Sequence, residues 1–315
     1  MRALLIINPA ATSSRTFGRD ELIRRLRGEL DLTVEHTRRR GHAEQLSRQA
    51  GADRVELVIA VGGDGTVHEV VNGLLADEGP PAGPALGLIP GGNANVFARA
   101  LGVPDDPGRA TARLLDAVRS GARRPVGLGR ADERWFIFCA GVGLDAEVVR
   151  EVERRRAGGT PASTALFVRS GIGQFLASRS RRRPSLTLVR PGAPATGPLA
   201  LGLVSNTRPW TYIGHRALVA SPLASVDRGL DLLAARRLGI PNTALALGRM
   251  LLPGGRPATG ASMLGLHDLR EFSLVADEPV AVQLDGEYVG DRRRVEFRAE
   301  PGAIAVASGG RPRAV

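Results

Sequence analysis

The chain contains no lysine: all 43 of its basic side chains, histidine aside, are arginine. That absence excludes a Walker A phosphate loop, a protein-kinase ATP lysine, a pyridoxal Schiff base and a lysine aldolase. There is one cysteine, Cys139, so internal disulfides, cysteine-zinc knuckles and cysteine-ligated iron–sulfur clusters are excluded too. Aromatic residues make up only 4% of the 315, and no stacking pattern or nucleic-acid motif accompanies the net charge of +11, which argues against a nucleic-acid partner. No apolar run approaches the 18 residues of a membrane span, and Trp135–Leu144 is far too short. The opening Met1–Asn8 has too short an apolar core for a secretory signal and reads as a strand. A hydrophobic fraction of 43% and a charged fraction of 24% describe a globular chain with room for two domains. The expectation is therefore a cytoplasmic protein.

Up to about residue 122, strand and helix patterns alternate. Ala3–Asn8, Leu32–Thr37, Leu57–Val61 and Ala85–Ile89 read as strands. Asp20–Leu30, Ala43–Ala50, Val67–Leu75, Ala94–Leu101 and Arg109–Val118 read as helices. Connections this short imply a parallel sheet. Beyond residue 123 the rhythm turns to short β-rich runs punctuated by Gly and Pro, among them Arg134–Cys139, Leu230–Ala235, Val280–Leu284 and Arg294–Arg298. Helical patterns over Asp145–Gln174 and Thr243–Leu252 interrupt them. The reading is an α/β nucleotide-binding domain over 1–122, a β-rich, sandwich-like domain over 123–307 and a frayed tail over 308–315.

Two glycine turns carry the chemistry. In Val58–Gly73 a buried strand ends in Gly62-Gly63-Asp64-Gly65-Thr66, and a helix starts at once. A helix start aims N–H groups and a positive dipole end at anions, and glycine lets the backbone approach a polyanion. Asp64 would repel phosphate directly, so a metal between them is the natural reading. The plain alternative is a tight turn with Asp64 or Thr66 as helix cap. Leu86–Gly102 repeats the device, with Gly91-Gly92-Asn93-Ala94-Asn95 after its strand. Two such loops at the carboxyl ends of adjacent strands form the crevice where open parallel sheets bind ligands.

With both loops in view, the chain resembles the diacylglycerol kinase catalytic-domain family, which includes bacterial lipid kinases and the sphingosine kinases. Asn8-Pro9-Ala10 matches the family's opening motif against the nucleotide, and Thr37 with Gly41-His42-Ala43 matches its ATP-binding threonine. Gly63–Glu69 matches the phosphate loop, and Cys139–Ala146 the Gly-x-Gly-x-Asp stretch. Asp227-Arg228-Gly229-Leu230-Asp231 is similar to Asp-Gly-x-Leu-Asp, where a structural magnesium sits. Leu284-Asp285-Gly286-Glu287 matches the late Asp-Gly-Glu that carries the catalytic base. Two departures stand out. Asn93 and Val96 replace the threonine and the final aspartate of the second loop, although Asn95 is kept, and Arg228 replaces a glycine.

The resemblance implies ATP-dependent phosphorylation of a lipid hydroxyl, diacylglycerol-like or sphingoid-like, in phospholipid biosynthesis. It implies an active site in the cleft between the two domains, and a last strand that returns to the first domain. Glu287 would be the base, with Asp285 as its helper or alternative. Asp64 would hold magnesium, and Asp227 a structural ion. Asn8, Pro9, Ala10, Thr37, Gly62, Gly63, Gly65, Thr66, Glu69, Gly92, Asn93 and Asn95 would line the ATP site. The expected partner is a lipid at an anionic membrane surface, met peripherally, with no nucleic acid and with a homodimer allowed. The alternatives are phosphorylation of a soluble acceptor, as in NAD kinases, and a non-catalytic nucleotide- or lipid-binding regulator. The bland alternative is that Asp285 and Glu287 are surface carboxylates of a hairpin, because Asp-Gly is a turn signal. The Ala165–Arg183 stripe reads as a packed helix with a charged end, or as a lipid-docking one.

Overall fold

The structure is a computed structural model that describes residues 1–11, 18–76, 83–158, 164–214, 216–252, 254–255 and 259–308. The predicted tail at 308–315 lies, past Ser308, outside the described residues. The chain divides into two compact units, residues 1–128 with 301–315, and residues 129–300.

The first unit alternates β1 (Arg2–Ile7), α1 (Arg19–Arg27), β2 (Asp31–His36), α2 (His42–Ala52), β3 (Leu57–Gly62), α3 (Asp64–Leu74), β4 (Ala85–Pro90), α4 (Val96–Ala100) and α5 (Pro107–Ser120). The strands lie parallel in the order β2-β1-β3-β4. β3 and β4 are buried along their whole length, as continuous apolar runs in a parallel sheet should be. Their side chains join Leu5, Ile7, Leu22, Leu26 and Leu114 in one core. Asp106 caps α5 through the N–H of Arg109, with Pro107 at the first helical position.

β5 (Arg124–Ala131) leads into the second unit. There follow β6 (Arg134–Phe136), β7 (Cys139–Gly143), α6 (Leu144–Ala157), α7 (Thr164–Ala177), α8 (Arg179–Arg182), β8 (Leu186–Arg190), β9 (Ala193–Leu199), β10 (Leu201–Ser205), β11 (Thr211–Ile213), β12 (Arg216–Leu218), β13 (Leu230–Ala235), α9 (Ile240–Met250), β14 (Met263–Leu269), β15 (Glu271–Leu284) and β16 (Glu287–Val306). The antiparallel order is β14-β13-β10-β7-β15-β16. Phe136, Phe272 and Phe297 centre its core, the last two with stacked rings 5.1 Å apart. β16 ends within the first unit, where Val306 pairs in parallel with Leu86 of β4.

Three readings are corrected. Arg134–Cys139 is not one strand: the chain leaves β6 at Phe136 and re-enters as β7 at Cys139, because the N–H groups of residues 137–139 turn to a side chain. Val280–Leu284 is not a separate short strand but the end of β15, which starts at Glu271 and carries a register shift between Val275 and Val280. The helical pattern over Asp145–Gln174 is two helices, α6 and α7.

Helices α2 and α3 meet at Gly73, where a Cβ would stand 2.2 Å from the Glu44 carbonyl oxygen and 2.1 Å from Ser47 Oγ. Gly51, near the end of α2, has open space around it. Gly73→Ala should therefore cost about 1–3 kcal/mol, while Gly51→Ala should gain about 0.5–1 kcal/mol from reduced chain entropy. Urea midpoints moving in opposite directions would bear this out.

Candidate active site

In the first unit the glycine loops pack on each other. The Gly91 N–H donates to the Gly62 carbonyl at 2.8 Å. A Cβ on Gly92 would lie 2.6 Å from Gly63 Cα, and one on Gly91 2.9 Å from Gly62 Cα. These glycines are thus required by backbone-to-backbone approach of two strand ends, before any ligand is considered. The N-cap of α3 is Gly63, which brings no side-chain acceptor to the helix start. A helix start without a side-chain acceptor is a ready anion site.

Asp64 is committed elsewhere. Its two carboxylate oxygens accept the N–H groups of Val96 at 2.9 Å and Phe97 at 3.1 Å, so it caps α4 from a distance of 32 residues. Val96, buried to 1% exposure, thus enters the site through its backbone, not its side chain. Asn95 closes the second loop on itself: its amide accepts from Gly92 N at 2.9 Å and donates to Gly92 O at 2.8 Å. It does so at φ +47, a left-handed conformation that Asn tolerates. Asn93 is exposed.

Glu69, one turn along α3, accepts from Gly41 N at 2.8 Å and Ala43 N at 3.1 Å and caps α2. Asn8 donates to Thr66 Oγ1 at 3.1 Å and accepts from Ala10 N at 3.0 Å, tying the end of β1 to the first turn of α3. Thr37 N donates to Ile7 O, which holds the end of β2 beside β1. The structure thus brings Asn8, Pro9, Ala10, Gly62–Thr66, Gly92 and Asn95 together around the start of α3.

In the second unit Asp285 and Gly286 form the two-residue turn between β15 and β16, at φ +51 and +81, the signature of a primed hairpin turn. Asp285 is no surface carboxylate. It is 5% exposed and accepts three N–H groups, from Ile137 at 2.8 Å, Phe138 at 2.9 Å and Cys139 at 3.1 Å. Its own N–H donates to Cys139 O at 2.8 Å. Asn206 supports the same bend through the carbonyls of Ile137 and Phe138. Glu287, partly exposed, opens β16 opposite Leu284. Asp285 lies in the turn itself, so the two acids do not share a strand face.

Sequence reasoning passed over Asp145 as a chemical group. Its Oδ2 accepts from Gln283 Nε2 at 2.8 Å, and a Cβ on Gly141 would collide with it at 1.9 Å. Burial raises the Asp145 carboxyl to about 6, against the opposing pull of the Gln283 amide.

The turn at Asp227 does not fit a structural cation. Asp231 Oδ1 accepts from Asp268 N at 3.1 Å and meets His267 Nδ1 at 2.5 Å, while Arg228 Nη1 stands 3.1 Å from His267 Nε2. A guanidinium can only donate, so Nε2 accepts and Nδ1 carries the proton to Asp231. Asp227 is exposed. Among the described residues no group of three acidic, His or Cys side chains gathers to hold a metal.

Residues 2–131 match the model of the diacylglycerol kinase catalytic domain. A diacylglycerol kinase of Bacillus subtilis (strain 168) is 36% identical over 155 residues, 48% of each chain. One from Staphylococcus carnosus (strain TM300) is 32% identical over 157 residues, 49% of each. The aligned segment spans about half the length of these curated relatives. A crystal structure of a diacylglycerol kinase from Bacillus anthracis str. Sterne superposes with a TM-score of 0.68 at 20% identity, over 98% of this chain and 97% of that one. A second structure from that organism gives 0.73 at 22%. At that identity the likeness establishes the fold: a parallel-sheet α/β unit followed by a β-rich one.

Two expectations follow. Because Asp145 binds its proton more tightly folded than unfolded, its contribution to stability is complete below about pH 4 and is lost as pH rises through about 6. Asp145→Asn should raise the urea midpoint above pH 6, and the gap to the parent should close on acidification. At the 227–231 turn, a chelator should leave the Tm unchanged, since the Asp231 carboxylate is already taken by His267 and the Asp268 N–H.

Proposed function

Because residues 2–131 match the model of the diacylglycerol kinase catalytic domain, we propose that the chain is a member of that family and transfers the γ-phosphoryl group of ATP to the hydroxyl of a diacylglycerol-like lipid. The observation that carries the reading is the start of α3: a helix N-terminus without a side-chain cap, fixed by Asn8 and Thr66 and flanked by two mutually packed glycine loops. Phosphate oxygens accept from such N–H groups, and the helix dipole favours their charge.

Magnesium, when bound, neutralises charge on the β- and γ-phosphates. Asp64 fits it as an anchor through water, because both carboxylate oxygens already accept backbone N–H groups and magnesium keeps several waters. With no lysine in the chain, the remaining phosphate charge falls to backbone N–H groups and arginine. Glu287 accepts the hydroxyl proton of the acceptor. Asp285 is a positioning residue: three N–H bonds hold its carboxylate, and through it the hairpin that presents Glu287 is fixed to residues 137–139.

The two acids should fail in different ways. Glu287→Gln should keep ATP affinity and Tm while single-turnover transfer falls about 10²–10⁴-fold, the range of general-base catalysis. Asp285→Asn should lower the Tm, because an amide nitrogen cannot accept the N–H groups that the carboxylate held. Products from labelled ATP with diacylglycerol, a sphingoid base or NAD, separated by thin-layer chromatography, check the acceptor. Label only in NAD phosphate, or full turnover by Glu287→Gln, would overturn this mechanism.

A further inference from the structure

Exposure along α9 is inverted. Ala246 and Met250 pack down onto a cluster with Leu218, Leu233 and Leu238. The outward side, where a helix of a globular protein carries charge, presents Ile240 (64% exposed), Leu245 (56%) and Leu247, and it continues into Leu251 and Leu252. At 3.6 residues per turn, Ile240, Leu247 and Leu251 form one stripe, and Leu245 and Leu252 a second about 130° round the helix, both away from the buried Ala246 and Met250. Within the helix only Arg249 is charged.

A second apolar pair adjoins it. Ile172 and Leu176 of α7 are each 61% exposed, while Phe175 beside them packs on the same buried cluster as α9. Arg181 links α7 to the segment just before α9: its Nε donates to Leu238 O at 2.9 Å, and its guanidinium lies 4.3 Å over the Phe175 ring.

The charge is equally localised. From Arg154 to His267 the chain has 16 arginines and two acids, Asp227 and Asp231, whereas the other 201 residues have 27 arginines and 30 acids. The whole positive excess therefore sits in the segment that carries α7 and α9. Arg236 and Arg237, exposed, immediately precede α9, and Arg182 and Arg183, exposed, follow α7.

We infer that α9, with the end of α7, is the membrane-docking surface, and that its partner is an anionic phospholipid bilayer. Its apolar stripe lies at the headgroup–acyl boundary, and the arginines flanking it meet lipid phosphates. Among the described residues no helix is long and apolar enough to cross a membrane, so the contact is interfacial. A second copy of the chain fits poorly, since it would set two strongly cationic segments against each other. The inference rests on the lipid-acceptor reading and names the surface through which that acceptor is reached.

The test is co-sedimentation of the full chain with vesicles, without ATP. Vesicles of phosphatidylglycerol and phosphatidylcholine should bind it, with affinity falling as salt rises, and pure phosphatidylcholine should bind it weakly. Leu245→Glu with Leu247→Glu, and separately Arg236→Gln with Arg237→Gln, should each weaken binding about tenfold or more at unchanged Tm. Both double variants should turn over a short-chain, water-dispersed diacylglycerol normally while losing activity on vesicle-embedded substrate. Parental vesicle affinity in both variants would overturn the proposal, as would equal binding to neutral and anionic vesicles at every salt concentration. A dimer in solution that the leucine variant dissociates would also overturn it, in favour of a second copy. Anionic-vesicle binding without transfer to any lipid would support the surface and overturn the kinase reading alone.

Discussion

Backbone N–H groups captured by distant carboxylates hold this molecule's working parts in place. Asp64 takes two from the start of α4, Glu69 two from the start of α2, and Asp285 three from the bend between β6 and β7. Each acid closes a segment that has no regular partner of its own, and a buried N–H left unpaired costs roughly 1–3 kcal/mol. Because Asp64 and Glu69 both stand on α3, one helix sets the positions of two others, and the loops that meet at its N-terminus inherit that order. In the second unit a single hairpin turn does the same for a bend about 150 residues earlier in the chain.

This division of roles changes how the acidic motifs are read. Carboxylates in glycine-rich turns suggest metal ligation and proton transfer, and the geometry gives Asp64 and Asp285 a prior duty in the backbone. In the proposed mechanism, phosphate contact then falls to the start of α3 and proton transfer to the partly exposed Glu287. The same holds at Asp231, whose carboxylate is paired with the His267 imidazole, which in turn meets the Arg228 guanidinium.

Much of the first unit was legible because its strands are continuous apolar runs ended by glycine or proline, and its helices carry clear periodicity. Ala85–Ile89 became β4 almost residue for residue. The second unit was harder. β9, β11, β12 and β14 are short or half-exposed and carry little alternation, and the break at Ile137–Phe138 depends on an acceptor at Asp285 that no local pattern announces. Motif order points to candidate site residues, but not to their partners. Nothing in the sequence near Glu69 points to Gly41, nor near Asp64 to Val96. The exposure of α9 was hidden for the opposite reason, since an apolar helix reads from sequence as a buried one.

Cys139 has a consequence of its own. The only thiol in the chain is 2% exposed and lies in the bend that Asp285 closes, its N–H on that carboxylate and its sulfur 3.8 Å from Gln283 Nε2. A thiol reagent reaches it only when the bend opens, so the rate of modification measures how often the Asp285 hairpin lets go. The molecule thus carries its own clock for the local unfolding of the element that presents Glu287.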